Sequence, residues 1–438
     1  MRSARKATAA LAASAAAALA LSACSGGSAG GGLTEPLDTE AEIEISLAWW
    51  GDDTRAAMYE EAVALFEKEY PNITVTTGFQ DFPNYWTARN TEAASSSLPD
   101  VFQMDLSYLR QYGNTGQLLD LAPAFESNLD VSGYDEQLLQ AGNLNGAQVG
   151  IPTSTNTLAF FYNADVLEEL GMEPPAEGYT WEDLNEWSAE VAAKGGKQDP
   201  AVYGSGDYTG TFWFFCQWLI QQGKQPFTDD GQMNFTEAEA TEFLNLTAEN
   251  REAGDVFFPI EKTKQIEPLT GFMTSAETGV MTWDNFLAGY VAETEQDIQM
   301  LPMPSGPNGP QQFWKPSMLL SASANTEQPA AAAKLIDFLV NDPEVGKIFG
   351  TNKGVPAVQA QIDAMDVEEG SVDARVVAFE EEVADLVTEP APMPAEGFGA
   401  IEAEWLRLFE EMAYERITVD EFVEQWFPFA QDTIPAPE

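Results

Sequence analysis

The chain has 438 residues, of which 44% are hydrophobic and 21% charged, an ordinary globular composition that excludes collagen-like, disulfide-scaffold and wholly disordered chains. Its 71 acidic residues against 20 basic ones give a formal charge of −51, which argues against nucleic acid as a partner, because a phosphate backbone needs Lys and Arg to neutralise it. It contains no histidine, so His-based triads, Cys–His nucleophiles and His-containing zinc sites are excluded.

The first 23 residues have the pattern of a secretory signal. Arg2, Arg5 and Lys6 form a basic start, and Ala7 to Leu21 form a small and apolar stretch too short for a stable membrane span. Leu21-Ser22-Ala23-Cys24 resembles a bacterial lipobox, in which the cysteine is acylated and becomes the first mature residue. The resemblance implies a lipid attachment at Cys24, with diacylglycerol and palmitate as the anchor, on the outer face of the cell membrane. Buried acyl chains contribute about 0.8 kcal/mol per CH₂, so several chains hold stably. Residues 24–40 then read as a flexible tether, rich in glycine over Ser25–Gly32. Cleavage removes three basic residues and takes the charge to −54. Cys216 is left without an intramolecular partner, and its setting in Phe212-Trp213-Phe214-Phe215-Cys216 predicts a buried small hydrophobe.

From Ala41 onwards strand-like and helix-like segments alternate. Ile43, Ile45, Leu47 and Trp49 recur at period two and predict a strand. Thr54 is placed to cap a helix carrying Met58, Ala62, Val63, Phe66 and Tyr70, which Pro71 ends. Ile73 and Val75 open a second strand and Pro99-Asp100-Val101-Phe102 a third. This order predicts an α/β fold with ligands at the carboxyl ends of the strands. Gly150-Ile151-Pro152 leads through an apolar run at Leu158–Tyr162 into helices over 164–170 and 180–194, the second capped at Thr180. The Pro- and Gly-rich run 301–310 marks a junction. A strand over Met318–Ala322 and a helix over Ala330–Val340 follow. The 375–430 region reads as helical, with Trp405, Leu406, Phe409 and Met412 among its packing residues.

The chemistry-bearing residues are aromatic and polar side chains set side by side. Trp49-Trp50-Gly51-Asp52-Asp53 falls where a strand meets a helix. Trp283 is followed by Asp284 and Asn285, and Trp314 by Lys315 and Ser317. A sugar needs this mixture, since its C–H faces stack on rings while its hydroxyls need carboxylates, amides and cations. Trp218, within the apolar stretch 212–220, reads as core. Paired carboxylates for glycoside hydrolysis can be drawn almost anywhere among 71 acids and carry little information. Thr228-Asp229-Asp230-Gly231-Gln232 lacks the ligand spacing of a calcium loop and reads as a turn. No phosphate-cradling motif is present.

Taken in order, Leu47-Ala48-Trp49-Trp50-Gly51, Leu98-Pro99-Asp100-Val101, Gly116-Gln117-Leu118-Leu119-Asp120-Leu121, Gly150-Ile151-Pro152, Phe161-Tyr162-Asn163, Thr180-Trp181-Glu182-Asp183-Leu184, Gly279-Val280-Met281 with Trp283, Lys315-Pro316-Ser317 and Asn352-Lys353-Gly354-Val355-Pro356 resemble the extracellular solute-binding proteins, family 1, of bacterial ABC sugar importers, the group that includes maltose-binding protein. The resemblance implies a periplasmic-binding-protein-like α/β fold of two hinge-linked lobes with a ligand cleft between them. Lobe one would take 41–155 and a return segment 304–354, and lobe two 156–303 and the C-terminal segment 355–438. It implies a carbohydrate ligand, taken by hinge closure and passed to the transmembrane subunits of an ABC permease, with no catalysis, cofactor or metal, in a monomer. Trp50 and Trp283 would be stacking platforms, Asp105 and Asp52 hydroxyl acceptors, and Asn285, Lys315 and Lys353 donors, with Asn156 reaching the cleft from beside the hinge. Lys353 stands where many sugar binders have arginine. A secreted glycoside hydrolase using an Asp/Glu pair, or a receptor for a polyamine or peptide, are the alternatives.

Overall fold

The computed structural model describes residues 32–263 and 277–436; Cys24 and the signal lie outside the described residues. Period-two burial at Ile43, Ile45, Leu47 and Trp49 builds β1 (Ile43–Trp50), whose opposite face buries Ala48 and Trp50. β1 pairs in parallel with β2 (Ile73–Gln80) and β3 (Val101–Met104). The helix Asp53–Glu69 and the helix Phe82–Ala94 make the crossovers. The first is capped by Asp52, whose Oδ1 accepts from Arg55 N at 2.9 Å, and not by Thr54. Asp100 holds the third strand to the first: its Oδ2 accepts from Ser46 N at 2.8 Å and Ser46 Oγ at 2.7 Å.

After the short hairpin β4 (Asn143–Leu144) and β5 (Ala147–Gln148), β6 (Ile151–Asn156) belongs to the first sheet and β7 (Leu158–Asn163) to a second. β8 (Tyr203–Ser205), β9 (Glu277–Trp283) and β10 (Ile298–Leu301) complete that second sheet, in the order β10-β7-β9-β8. β11 (Lys315–Ala322) and β12 (Val355–Pro356) return to the first, whose order is β12-β6-β11-β3-β1-β2. The chain therefore passes between the sheets at Thr157, again through residues 302–314, and a third time beyond Pro356. By strand pairing, Asn156 and Val355–Pro356 belong with the six-stranded sheet.

The first two crossings are laced together. Gln312 Nε2 donates to Thr157 Oγ1 at 3.0 Å and Leu158 O at 2.9 Å, and Thr157 Oγ1 donates to Phe313 O at 3.2 Å. The last three long helices, Val372–Val383, Phe398–Ala413 and Val419–Thr433, follow the third crossing. The second of them packs Trp405 and Phe398 on Phe212 of the helix Phe212–Gln221. Cys216 is fully buried in that helix. Leu406, expected to pack, is 49% exposed, because one position after Trp405 it is turned about 100° round the helix from the packed face. The helix Trp181–Gly195 opens on a complete capping box between Thr180 and Asp183. No described helix is long and apolar enough to cross a membrane.

Candidate ligand site between the two sheets

Trp283 ends β9 and Lys315 begins β11, so the second sheet delivers the ring and the first delivers the cation. Trp213 stands edge-on to Trp283 at 5.6 Å between ring centroids, and Phe313 closes the group at 6.1 Å from Trp213. Lys315 Nζ lies 5.5 Å from the Trp283 ring centre and 6.0 Å from that of Trp213. Its one hydrogen bond is a long one, 3.4 Å to Pro316 O. A cation over two aromatic faces is attracted by their quadrupoles and keeps donors to spare.

One carboxyl group lies near this cation, and a second lies near the first. Glu402 lies one turn beyond Phe398, whose ring is 5.0 Å from Trp213. Burial pushes the Glu402 carboxyl up to about 7, against the pull of Lys315 and with a further push from Asp105. Asp105 caps the helix Leu106–Asn114, accepting from Ser107 N at 2.8 Å. The interface that brings Asp105 and Glu402 near each other is held by Arg110, which donates from Nε to Pro394 O at 2.9 Å and from Nη1 to Asp229 O at 2.7 Å.

Trp50 lies in a neighbouring aromatic group at the carboxyl edge of the six-stranded sheet. Phe82 and Tyr85 are each 5.4 Å from it and Trp86 is 5.9 Å away, and Tyr108 stacks on Trp86 at 3.7 Å. Both aromatic groups join one continuous apolar cluster that runs from one sheet to the other. Trp86 Nε1, Gln103 Oε1 and Asn156 Oδ1 are buried polar atoms without a hydrogen-bond partner. Such atoms are few in folded proteins and mark a strained or ligand-facing place.

Of the residues singled out from sequence, Trp283 and Lys315 converge, and Asp105 lies near Glu402. Asn156 is in register with Lys315 across β6 and β11. Trp50 is 8% exposed and shares the carboxyl edge with Asp105. Asp52 is exposed and serves as a helix cap, and Asn285 is exposed on the turn after β9. Lys353 is placed elsewhere: its ammonium lies 3.8 Å from the Phe349 ring centre and 5.3 Å from that of Tyr59, and it is 7% exposed. Burial, helped by nearby Arg55, brings that ammonium down to about 7. It packs on the Phe349 and Tyr59 rings inside the six-stranded half, and not with Lys315 and Trp283. Glu402 was missed. Its signal was the spacing of the apolar stripe Phe398, Ile401, Trp405, into whose i+4 slot it falls.

A separate cavity of about 640 Å³ lies in the four-stranded half, lined by Asp207, Tyr208, Arg251, Phe258, Leu406 and Phe409. It ends at Thr263, where the described residues break off, and shares no lining residue with the site above. No group of three or more Cys, Asp or Glu residues placed to hold a metal ion occurs among the described residues.

Against known proteins, residues 48–345 match the profile of the family described as bacterial extracellular solute-binding protein. The arabinooligosaccharide-binding protein of Bacillus subtilis (strain 168) is 25% identical over 211 residues, 46% of this chain and 47% of that protein. A putative ABC transporter periplasmic-binding protein of Escherichia coli (strain K12) is 23% identical over 299 residues, 66% of each chain. The chain thus spans between about half and two thirds of these relatives. Among solved structures, an extracellular solute-binding protein family 1 member from Alicyclobacillus acidocaldarius superposes with a TM-score of 0.72 at 25% identity, over 90% of this chain and 99% of the other. With two sheets crossed by the chain at three points and a family match across most of both, this chain belongs to the bacterial extracellular solute-binding protein family.

Proposed function

We propose that the chain is the saccharide receptor of an ABC importer, anchored by lipid at Cys24 on the outer face of the membrane, and that it works as a monomer without catalysing a reaction. The observation that carries the proposal is the edge-to-face pair of Trp213 and Trp283 with the Lys315 ammonium 5.5–6.0 Å from both rings, at the boundary of two sheets. Sugar rings stack on such faces through their C–H groups. Lys315, Asp105, Glu402 and Asn156 supply donors and acceptors for hydroxyls, and Trp50 a second apolar wall. In this proposal the six-stranded sheet carries lobe one, now including Asn156 and Val355–Pro356, the four-stranded sheet and the last long helices carry lobe two, and the crossings between them act as the hinge. Ligand closes the lobes because it touches both and binds the closed form better. The name of the arabinooligosaccharide-binding relative and that of the ABC relative support this assignment of ligand class and partner.

The test is thermal unfolding of the mature domain, without its lipid, against a panel of mono- and oligosaccharides, with the sugars recovered by chromatography afterwards. A ligand at 100 times its Kd should stabilise the domain by about 2.7 kcal/mol. One sugar class should shift the transition and be recovered intact. A flat panel contradicts the proposal, and recovered fragments would replace it with a hydrolase.

A further inference from the structure

We infer that the site between the sheets selects uncharged saccharides and rejects uronates, and that Glu402, seconded by Asp105, sets this preference. The inference rests on the saccharide reading above. A sugar carboxylate entering a partly buried site needs a cation free to meet it, and a guanidinium does this best because its fork matches the two oxygens. Each arginine among the described residues is bonded elsewhere: to acids, to backbone carbonyls or to Asn352. The cation at the aromatic pair is Lys315, and it already has the Glu402 carboxyl near it, with Asp105 near Glu402 in turn. With both ionised, the three side chains carry one net negative charge, and a uronate would add another. The field of the whole chain, at −51, acts in the same direction.

Hydroxyl groups meet the opposite situation. An ionised carboxylate accepts from a hydroxyl, and a protonated one also donates to it. Held near neutrality by burial, Glu402 can serve either lone pair or proton of an uncharged sugar without leaving a buried charge unanswered. It is half-buried one helical turn from Phe398, whose ring is 5.0 Å from that of Trp213.

The experiment is calorimetric titration at pH 8 of the mature domain, Glu402→Gln and Asp105→Asn. The probes are a panel of neutral trisaccharides (arabinotriose, xylotriose and maltotriose), trigalacturonate, and the methyl ester of trigalacturonate. Asn keeps the helix cap at position 105, and a cooperative thermal unfolding transition reports that each variant is folded. The wild type should bind its best neutral probe at least 100-fold more tightly than trigalacturonate, and Glu402→Gln should bring trigalacturonate at least 10-fold closer, with a smaller gain in Asp105→Asn. Trigalacturonate within threefold of the neutral probes in the wild type would overturn the inference. So would a folded Glu402→Gln variant in which the ratio of neutral to uronate affinity is unchanged. If no saccharide binds the folded wild type, the receptor reading itself fails and this inference falls with it.

Discussion

Asp284 and Glu380 meet in the interior beside the first crossing, where the turn after β9 reaches the helix Val372–Val383. The Thr155 hydroxyl donates to Glu380 Oε2, Asp284 N donates to Thr157 O at 3.0 Å, and Asn285 N to Asp284 Oδ1 at 2.8 Å. Burial raises both carboxyls, and Asp284 raises Glu380 further; none of the groups facing the pair is a cation. The two oxygens left without partners, Asp284 Oδ2 and Glu380 Oε1, fit a pair that keeps a proton between them. Acids raised in the folded state hold protons that the unfolded chain releases, so stability falls as pH rises from about 4 towards the folded values. Asp284→Asn removes the share of that dependence that Asp284 carries and the part it imposes on Glu380. It should stabilise the domain by roughly 1–3 kcal/mol at pH 8 and by almost nothing at pH 4.5. Equal effects at the two pH values, by thermal unfolding, would refute the shared proton. Lys353 carries the opposite sign. Its lowered value means that the unfolded chain binds the extra proton, so its contribution improves as pH rises from about 7 towards the ordinary lysine range. Lys353→Met should therefore help stability more at pH 6 than at pH 10, and the reverse order would contradict the burial argument.

The strands and helices were largely legible because each has a period and a punctuation mark. Period-two apolar residues gave β1, and the helices 164–170 and 181–195 matched their caps at Asn163 and Thr180. Asp100 was legible as a motif, and its hydrogen bonds to Ser46 now supply the reason. What could not be read was the sheet order, since β11 and β12 join β6 across more than 150 residues and no local pattern encodes that pairing. Nor were the buried charges recognised, although three share a signature. Arg110 follows Leu106 and Leu109, Glu380 follows Val376 and Phe379, and Glu402 follows Phe398 and Ile401, each at i+4 of an apolar stripe. A charge in that slot must be used, because solvating it would turn the stripe outward. Lys353 failed as a cleft residue for a related reason: the motif gave its position beside Gly354 but not the direction of its side chain. Gly354 itself has φ +99°, and a Cβ there would lie 2.3 Å from Thr155 O and 2.8 Å from Asn156 Oδ1. Gly354→Ala should therefore separate β12 from β6 and cost more than about 2 kcal/mol in urea unfolding. A loss under about 0.5 kcal/mol would show that the pairing tolerates displacement.

At the scale of the molecule, two kinds of connection join the halves. The crossings are covalent and laced by Gln312 and Thr157. Arg110, 3% exposed, is a clasp from the six-stranded half to two backbone carbonyls on segments that pack with the four-stranded half. Breaking a buried charged donor leaves two carbonyls unanswered, so Arg110→Ala should loosen the contact between the halves. Small-angle scattering should then give a larger radius of gyration than the wild type in the presence of saccharide, with affinity lowered about tenfold because less of the population is competent to bind. An unchanged radius and affinity would assign Arg110 to local packing alone. The central claim is that a saccharide is held between the halves on the rings of Trp213 and Trp283. It is tested most directly by calorimetric titration of the best-stabilising saccharide into the wild type and into Trp283→Ala. Loss of a stacking face should weaken binding at least tenfold while the melting temperature without sugar stays within a few degrees, in keeping with a ring only partly buried. An unchanged saccharide affinity in a folded Trp283→Ala protein would contradict the account and move the ligand away from this site.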